Sequence, residues 1–220
     1  MTHLDIELKK LKEETTEMFE LVLSQIRKAQ LALMHFDKDM AHEVNFNEKR
    51  VNALELKIDK DCENIFALFN PVAIDLRFVL AVLKINYNLE RIGDIADGIA
   101  RYVIEAKTAF SSELISISRL DEMFIVASEM LQDTQISFAG EDAKVARGVF
   151  QKDDSLDQIN GLANQKIESF IRNEQEQIAP ALHVISTIRK LERTGDQVKN
   201  IAEEIIFFIE AKVLKHKNAG

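Results

Sequence analysis

The hexapeptide LERIGD at positions 89–94 nearly recurs as LERTGD at positions 191–196. The copies lie 102 residues apart, and each belongs to a long run in which apolar residues recur at three- and four-residue steps. Such spacing is typical of an amphipathic helix that buries one face. A motif repeated inside two similar helices indicates that two homologous units make up most of the chain.

Six helical segments follow from the apolar periodicity, three in each half. They extend over about 4–33, 44–68, 71–103, 118–138, 143–172 and 180–215. Asn70 is the expected N-cap of the third segment, with Pro71 as its first helical residue. Only 7 glycines and 2 prolines interrupt the chain, and no strand-like alternation occurs.

The sequence therefore predicts an all-α fold of two tandem antiparallel three-helix bundles. The bundles are related by a pseudo-twofold internal repeat, and they occupy residues 1–110 and 111–220. Short connections between long helices favour antiparallel neighbours within each bundle.

Charge and composition restrict the function. The formal net charge of -9 disfavours nucleic-acid binding through a basic electrostatic field. Cys62 is the only cysteine, which fits a reducing cytoplasm. The N-terminus lacks the apolar core of a secretory signal, and the run IIFFI at 205–209 is too short to span a bilayer. We therefore expect a cytoplasmic protein without a membrane span.

The repeated hexapeptides place acidic side chains on one face of their helices. Glu90 and Asp94 lie four residues apart, as do Glu192 and Asp196. Asn200 adds an oxygen one turn after the second pair. Like charges at this spacing destabilise a helix by about 0.2–0.5 kcal/mol, so their duplication suggests a compensating gain.

A glycine separates the acids in both copies. Gly93 and Gly195 each cost about 1 kcal/mol relative to alanine in a helix. Glycine permits the close approach of another backbone or of a bulky ligand. We therefore expect either a neighbouring backbone or a bulky ligand to approach the helix closely at both glycines.

The second helix of each unit is also acidic. Glu48 and Asn52 lie four residues apart, and Asp153 and Asp157 repeat that spacing. If the second and third helices are antiparallel, these faces converge on the hexapeptide acids. Oxygen ligands with few imidazoles suit a hard cation, or iron and manganese. The alternatives are a solvated acidic face, or pairing of the acids across the bundle with Arg91, Arg193 and nearby lysines.

Catalytic motifs are absent from the sequence. The five histidines are scattered without an HExxH or Glu-x-x-His pair, and no phosphate-binding glycine loop or GxSxG elbow occurs. The sequence therefore predicts a protein that is not an enzyme.

The stretch NPVAIDLRFVLAVLKINYNLERIGDIADGIA at 70–100 resembles the signature of the PhoU family. The first unit also carries EKRVNALE at 48–55, and the second carries DAKVARGVFQKDDSLD at 142–157 and LERTGDQVKNIAE at 191–203. The resemblance covers nearly the whole chain and includes both repeats. It implies two three-helix bundles, in agreement with the fold inferred from the periodicity.

The family resemblance also implies a function. PhoU proteins are negative regulators of the phosphate-starvation response and of phosphate uptake. They act as adaptors between the phosphate-transport ATPase and a sensor histidine kinase, and associate with the membrane only peripherally, through these partners. We also expect a homodimer, because the bundles have spare amphipathic faces.

Multinuclear metal clusters are a further implication of the resemblance. The metal is usually iron, with manganese, magnesium and zinc as alternatives. The matching residues are Glu48, Asn52, Glu90, Asp94, Asp153, Asp157, Glu192, Asp196 and Asn200. Gly98 replaces the asparagine in the first unit, and Asn52 offers a neutral oxygen, so the second site is the stronger expectation.

Two other functions remain open from the sequence. The carboxylates could belong to a metal-handling protein or a metal-dependent enzyme. A PhoU-like accessory protein of another transporter would have the same pattern.

Overall fold

The computed structural model describes residues 2–212 and 214, and over these residues the chain contains seven α-helices and no β-strand. The first unit consists of α1 (His3–His35), α2 (Lys38–Phe69) and α3 (Ala73–Glu105). The second consists of the short α4 (Ser112–Ser118), then α5 (Leu120–Gly140), α6 (Ala143–Asn173) and α7 (Ile178–Glu210). A 3-10 turn at Gln175–Gln177 precedes α7.

Local side chains define where α1 ends and α2 begins. Phe36 closes α1 in the left-handed conformation, with φ 52°. Asp37 then accepts a hydrogen bond from the backbone N–H of Met40 at 2.9 Å and so caps α2. Only two residues connect α1 to α2, so α2 runs back antiparallel to α1.

The prediction for the α2–α3 connection was wrong. Asn70 is the C-cap of α2, with φ 46°, rather than the N-cap of α3. Pro71 lies in the connection, and α3 begins at Ala73. Since Pro71 has no N–H to donate back into α2, that helix must end before it. Asparagine tolerates the left-handed conformation that closes a helix.

Two other boundaries differ from the prediction. The stretch between the predicted helices 71–103 and 118–138 contains α4, which Ser111 caps by accepting a hydrogen bond from the N–H of Leu114 at 3.0 Å. At the other end, α7 stops at Glu210, whereas the sequence predicted helix to about Lys215. Lys215 lies outside the described residues.

Ion pairs between helix ends establish the antiparallel packing. Lys10 near the start of α1 contacts Asp61 near the end of α2 at 2.9 Å. Arg147 near the start of α6 contacts Glu210 at the end of α7 at 2.7 Å. The predicted all-α fold of two antiparallel three-helix bundles is confirmed. The domain boundary at residues 110 and 111 stays a prediction.

The two bundles share a continuous core. The ring of Phe138 from α5 lies 5.6 Å from Phe19 of α1, and about equally far, at 6.1 Å, from both Phe78 of α3 and Phe208 of α7. The third helices, α3 and α7, also pack against each other, and Tyr102 lies 4.9 Å from His183 across that contact. This packing brings the two hexapeptides into one central layer.

Among the described residues, no helix is both long enough and apolar enough to cross a membrane.

Candidate functional site

Both hexapeptide glycines permit a close approach of the neighbouring second helix. A Cβ at Gly93 would lie 2.9 Å from Val51 Cγ1 of α2 and 3.4 Å from Glu48 Oε2. A Cβ at Gly195 would lie 2.7 Å from both Asp153 Oδ1 and Leu156 Cδ1 of α6. The glycines therefore allow the helices to bring one acidic residue of each second helix against the hexapeptide.

Glu48 is a buried carboxyl group of the first unit with a strongly raised pKa. Glu48 is 8% exposed, and in the described part of the chain neither of its oxygens accepts a hydrogen bond from an amide, hydroxyl or cationic donor. Burial raises the pKa of Glu48 to about 8, and the charges of Asp94, Asp97 and Glu90 contribute further. No cationic group lies within ion-pair distance of Glu48 among the described residues. A bound cation would compensate this buried acid.

Glu90 and Asp94 lie close enough to Glu48 to raise its pKa, and Glu55 lies near both of them. We call Glu48, Glu55, Glu90 and Asp94 the first acidic cluster. Burial raises the pKa of Glu55 and of Glu90, and in both cases the charge of Asp94 adds to the effect. Arg91 is the nearest cation to Asp94, at 4.0 Å and on the exposed side of the helix. The cluster is therefore rich in negative charge that the protein itself neutralises poorly.

Asp97 is buried beside this cluster but has its own partners. Asn45 Nδ2 donates to Asp97 Oδ1 at 2.7 Å, and Arg101 lies 2.7 Å from Asp97 Oδ2. These contacts leave Asp97 little capacity to bind a cation.

In the second unit, Asp153, Asp157, Glu192 and Asp196 form the second acidic cluster, and a lysine lies inside it. Lys199 Nζ donates to the buried carboxylate of Asp153 and lies 2.8 Å from Asp196 Oδ1. Burial alone would lower the pKa of Lys199, but these two bonds raise it. The lysine ammonium thus supplies the positive charge that the first cluster lacks.

Lys199 occupies in the second unit the position that Asp97 occupies in the first. The two residues are 102 positions apart, which is also the distance between the two hexapeptides. The sequence indicated that nearby lysines could pair with the acids, but it did not single out Lys199. The signal was present in the two runs LERIGDIAD and LERTGDQVK, which differ at their last position by the sign of the charge. What the sequence did not reveal was that the ammonium would reach back to α6.

Two of the predicted site residues stay apart from the buried carboxylates. Asn52 is exposed and has no side-chain hydrogen bond within the described part of the chain. Asn200 Nδ2 donates to Asn88 Oδ1 of α3 at 3.4 Å, so its amide faces the other unit. Asp157 is exposed, but its charge raises the pKa of Glu192 together with burial and Asp196.

As arranged in residues 2–212 and 214, no three histidine, cysteine, aspartate or glutamate side chains form a group that could hold a metal ion. Metal binding by either cluster therefore stays a prediction. The donor set of the first cluster suits a hard cation, and the half-exposed Asp94 side chain has room to rotate.

Comparison with known proteins identifies the family. The PhoU domain family matches residues 15–103 and 120–205. The chain is 32% identical to the phosphate-specific transport system accessory protein PhoU homolog of Aquifex aeolicus, over 96% of this chain and 95% of that protein. It is also 32% identical to the phosphate-specific transport system accessory protein PhoU of Escherichia coli, over 96% of this chain and 86% of that protein.

Solved structures agree with this assignment. PhoU from Pseudomonas aeruginosa superposes with a TM-score of 0.88 at 29% identity, covering 96% of this chain and all of that one. The phosphate transport system regulatory protein PhoU from Streptococcus pneumoniae superposes with a TM-score of 0.86 at 30% identity, covering 96% of this chain and 99% of that one. Sequence and fold together establish that the chain belongs to the PhoU family.

Proposed function

We propose that the protein is an accessory regulator of phosphate transport. It represses the phosphate-starvation response as a cytoplasmic adaptor between the ATPase of the phosphate transporter and a sensor histidine kinase. The observation that carries this proposal is the match, over 96% of the chain, to relatives named as accessory proteins of the phosphate-specific transport system.

The adaptor reaches the membrane through its partners, and it is a homodimer. Exposed apolar side chains at the α2–α3 connection support such contacts: Leu68, Val72 and Ile74 are 74%, 67% and 64% exposed. Apolar area of this kind on a helical surface favours association with another protein surface. Light scattering coupled to gel filtration measures the mass of the free protein and tests the dimer.

The first acidic cluster is the cation site in this proposal. Glu48 supports it, because a buried carboxylate with two unpaired oxygens is costly unless a positive charge arrives. Glu90 and Asp94 supply further oxygens at the same face. Iron, manganese or magnesium fits these oxygen donors better than zinc, which favours nitrogen and sulfur. At the second cluster, the Lys199 ammonium supports an internal ion pair in place of a metal.

Deletion of the gene tests the regulatory function. We expect phosphate-scavenging genes to become constitutive at high phosphate, and a plasmid copy to restore repression. Affinity-tagged protein should also retain the transport ATPase and the kinase after mild cross-linking. Normal repression in the deletion strain would contradict the proposal. Altered uptake of a different solute would assign the protein to another transporter.

A further inference from the structure

A groove of about 880 Å³ lies between α3 and α7, where the two units meet. Five cationic side chains line it: Lys84, Arg91, Arg101, Lys190 and Arg193. The carboxylates in its lining are those of Asp94, Asp97 and Glu204. Cations therefore outnumber carboxylates in this groove, although the whole protein has a formal net charge of -9.

The cations of the groove differ in how well they are neutralised. Two form short ion pairs, Arg101 with Asp97 at 2.7 Å and Lys84 with Glu204 at 3.1 Å. Arg91 is only loosely paired, at 4.0 Å from Asp94. Within the described residues, neither Lys190 nor Arg193 has a carboxylate oxygen within 4.0 Å. The excess positive charge is thus concentrated on α7.

Lys190 is held in place rather than extended into solvent. A Cβ at Gly98 would lie 2.5 Å from Lys190 Nζ, so the glycine of α3 makes room for the ammonium. The same ammonium lies 5.7 Å from the centre of the Tyr102 ring. Burial lowers the pKa of Lys190, and the charge of Arg193 lowers it further, although nearby carboxylates oppose them. An anion beside these two groups would relieve their repulsion.

The arginines of the two hexapeptides both line this groove. Arg91 and Arg193 are 102 residues apart and lie on the two facing helices. Each follows the glutamate that belongs to an acidic cluster, and one step along a helix turns a side chain by about 100°. The repeated motif therefore presents its glutamates to the acidic clusters and its two arginines to the groove, which Asp94 also lines.

We propose that this groove binds a multivalent anion of the phosphate class, held by Lys190 and Arg193 of α7 with Arg91 of α3. A guanidinium donates two parallel hydrogen bonds to phosphate oxygens, and a lysine adds a compact charge. A phosphate group offers three acceptor oxygens to cations that approach from two helices, whereas a carboxylate offers two. This binding requires neither a metal in the acidic clusters nor the proposed regulatory role.

The size and the polarity of the groove fit such a ligand. Small-molecule sites have volumes of about 300–1,000 Å³, and this groove lies within that range. It has room for a chain of phosphates or a nucleotide as well as for a single phosphate. The amides of Asn88, Gln197 and Asn200 line the groove and supply neutral hydrogen-bond donors.

Calorimetric titration of the intact protein tests the proposal. Inorganic phosphate, tripolyphosphate and ATP are titrated without divalent cations, at constant ionic strength, beside sulfate and chloride. We expect the phosphate compounds to bind, and the double variant Lys190→Gln/Arg193→Gln to bind them about tenfold more weakly or worse, as the loss of a charge-assisted hydrogen bond predicts. The variant Lys144→Gln/Lys166→Gln removes two exposed charges from α6 and should bind like the wild type.

Comparing the three phosphate compounds also shows whether the groove binds free phosphate or longer phosphate chains. Binding of inorganic phosphate supports a site for the free ion, whereas binding of tripolyphosphate and ATP alone supports a site for longer phosphate chains. The proposal is overturned if the double variant, with an unchanged circular dichroism spectrum, binds as tightly as the wild type. Equal binding of sulfate and phosphate, failure of all three phosphate compounds to bind at millimolar concentration, or binding of an acidic peptide alone would also overturn it.

Discussion

The ammonium of Lys199 is hydrogen-bonded to the buried carboxylate of Asp153, so α7 supplies its own cation to the second acidic cluster. In the first unit the equivalent position carries Asp97, and the buried Glu48 has no cationic partner among the described residues. Two copies of one helical motif have thus reached different electrostatic states. One contains an internal ion pair, and the other contains an unpaired buried acid.

Replacing Lys199 by glutamine should destabilise the protein. The substitution leaves Asp153 buried without its partner, which costs about 3–5 kcal/mol for a fully buried pair. Because Lys199 is 27% exposed, we expect a smaller loss of roughly 1–3 kcal/mol in the free energy of unfolding. Urea denaturation in the presence of a chelator measures it.

The same variant should respond more strongly to metal than the wild type, in which only the first acidic cluster binds it. Manganese should restore part of the lost stability of Lys199→Gln, since the second cluster then lacks its internal cation. The control Lys144→Gln removes an exposed lysine and should change neither quantity. Equal stability of Lys199→Gln and the wild type in chelator would show that the ion pair contributes nothing.

Substitution at the first cluster should weaken cation binding. Glu48→Gln removes the charge of a buried acid that has no cationic partner among the described residues, so we expect at least a tenfold loss of manganese affinity by calorimetry. Glu63→Gln, on the exposed side of the same helix, is the matched control. Asp153→Asn at the second cluster should leave the affinity unchanged. If Asp153→Asn instead abolishes binding, the cation belongs to the second cluster.

The metal-free protein should lose stability as the pH rises. Glu48 has a pKa of about 8 in the native protein and 4.5 as its ordinary value. Between these values the native carboxyl keeps a proton that the unfolded chain releases, so raising the pH favours unfolding. We expect the free energy of unfolding to fall by roughly 2–4 kcal/mol from pH 5 to pH 9. Denaturation at several pH values, in chelator, measures the slope.

Glu48→Gln provides the comparison for that slope. The amide does not titrate, so the variant should lose most of this pH dependence and be more stable than the wild type at high pH. A slope that is the same in both proteins would assign the effect to other carboxylates, such as Glu55 or Glu90.

We expect replacement of either hexapeptide glycine to destabilise the protein, although glycine has a low helix propensity. Alanine at position 93 gains about 1 kcal/mol of propensity, but its Cβ would lie 2.9 Å from Val51 Cγ1. Overpacking costs about 1–3 kcal/mol, so we expect Gly93→Ala to be less stable than the wild type by ~1 kcal/mol. Thermal and urea denaturation measure the difference, and Val51→Ala should relieve it.

Helical glycines elsewhere supply the control. A Cβ at Gly148 or Gly161 of α6 meets nothing within 4 Å. Gly148→Ala should therefore stabilise the protein by about 0.5–1 kcal/mol. If Gly93→Ala stabilises the protein to the same extent as Gly148→Ala, the close approach of α2 and α3 does not require glycine at position 93.

The amino-acid sequence by itself determined the six long helices, their duplication and the acidic faces, but not the short α4. Periodicity is a local property, so the apolar stripes around LERIGD and LERTGD were enough to predict two bundles and to place Glu90 and Asp94 on one face. Antiparallel neighbours then brought Glu48 to that face. Local propensity did not decide the cap at Asn70, because the same residue type can begin one helix or end another.

Tertiary structure alone decided which charges meet. Glu48 and Asp153 occupy equivalent positions, yet one is unpaired and the other is bonded to Lys199. Asn200, expected beside the second cluster, faces Asn88 in the other unit. The meeting of α3 and α7 also assembles the groove around Lys190. The physical reason is that burial and pairing depend on distances across helices of a few ångströms, whereas sequence spacing fixes only the face of a single helix.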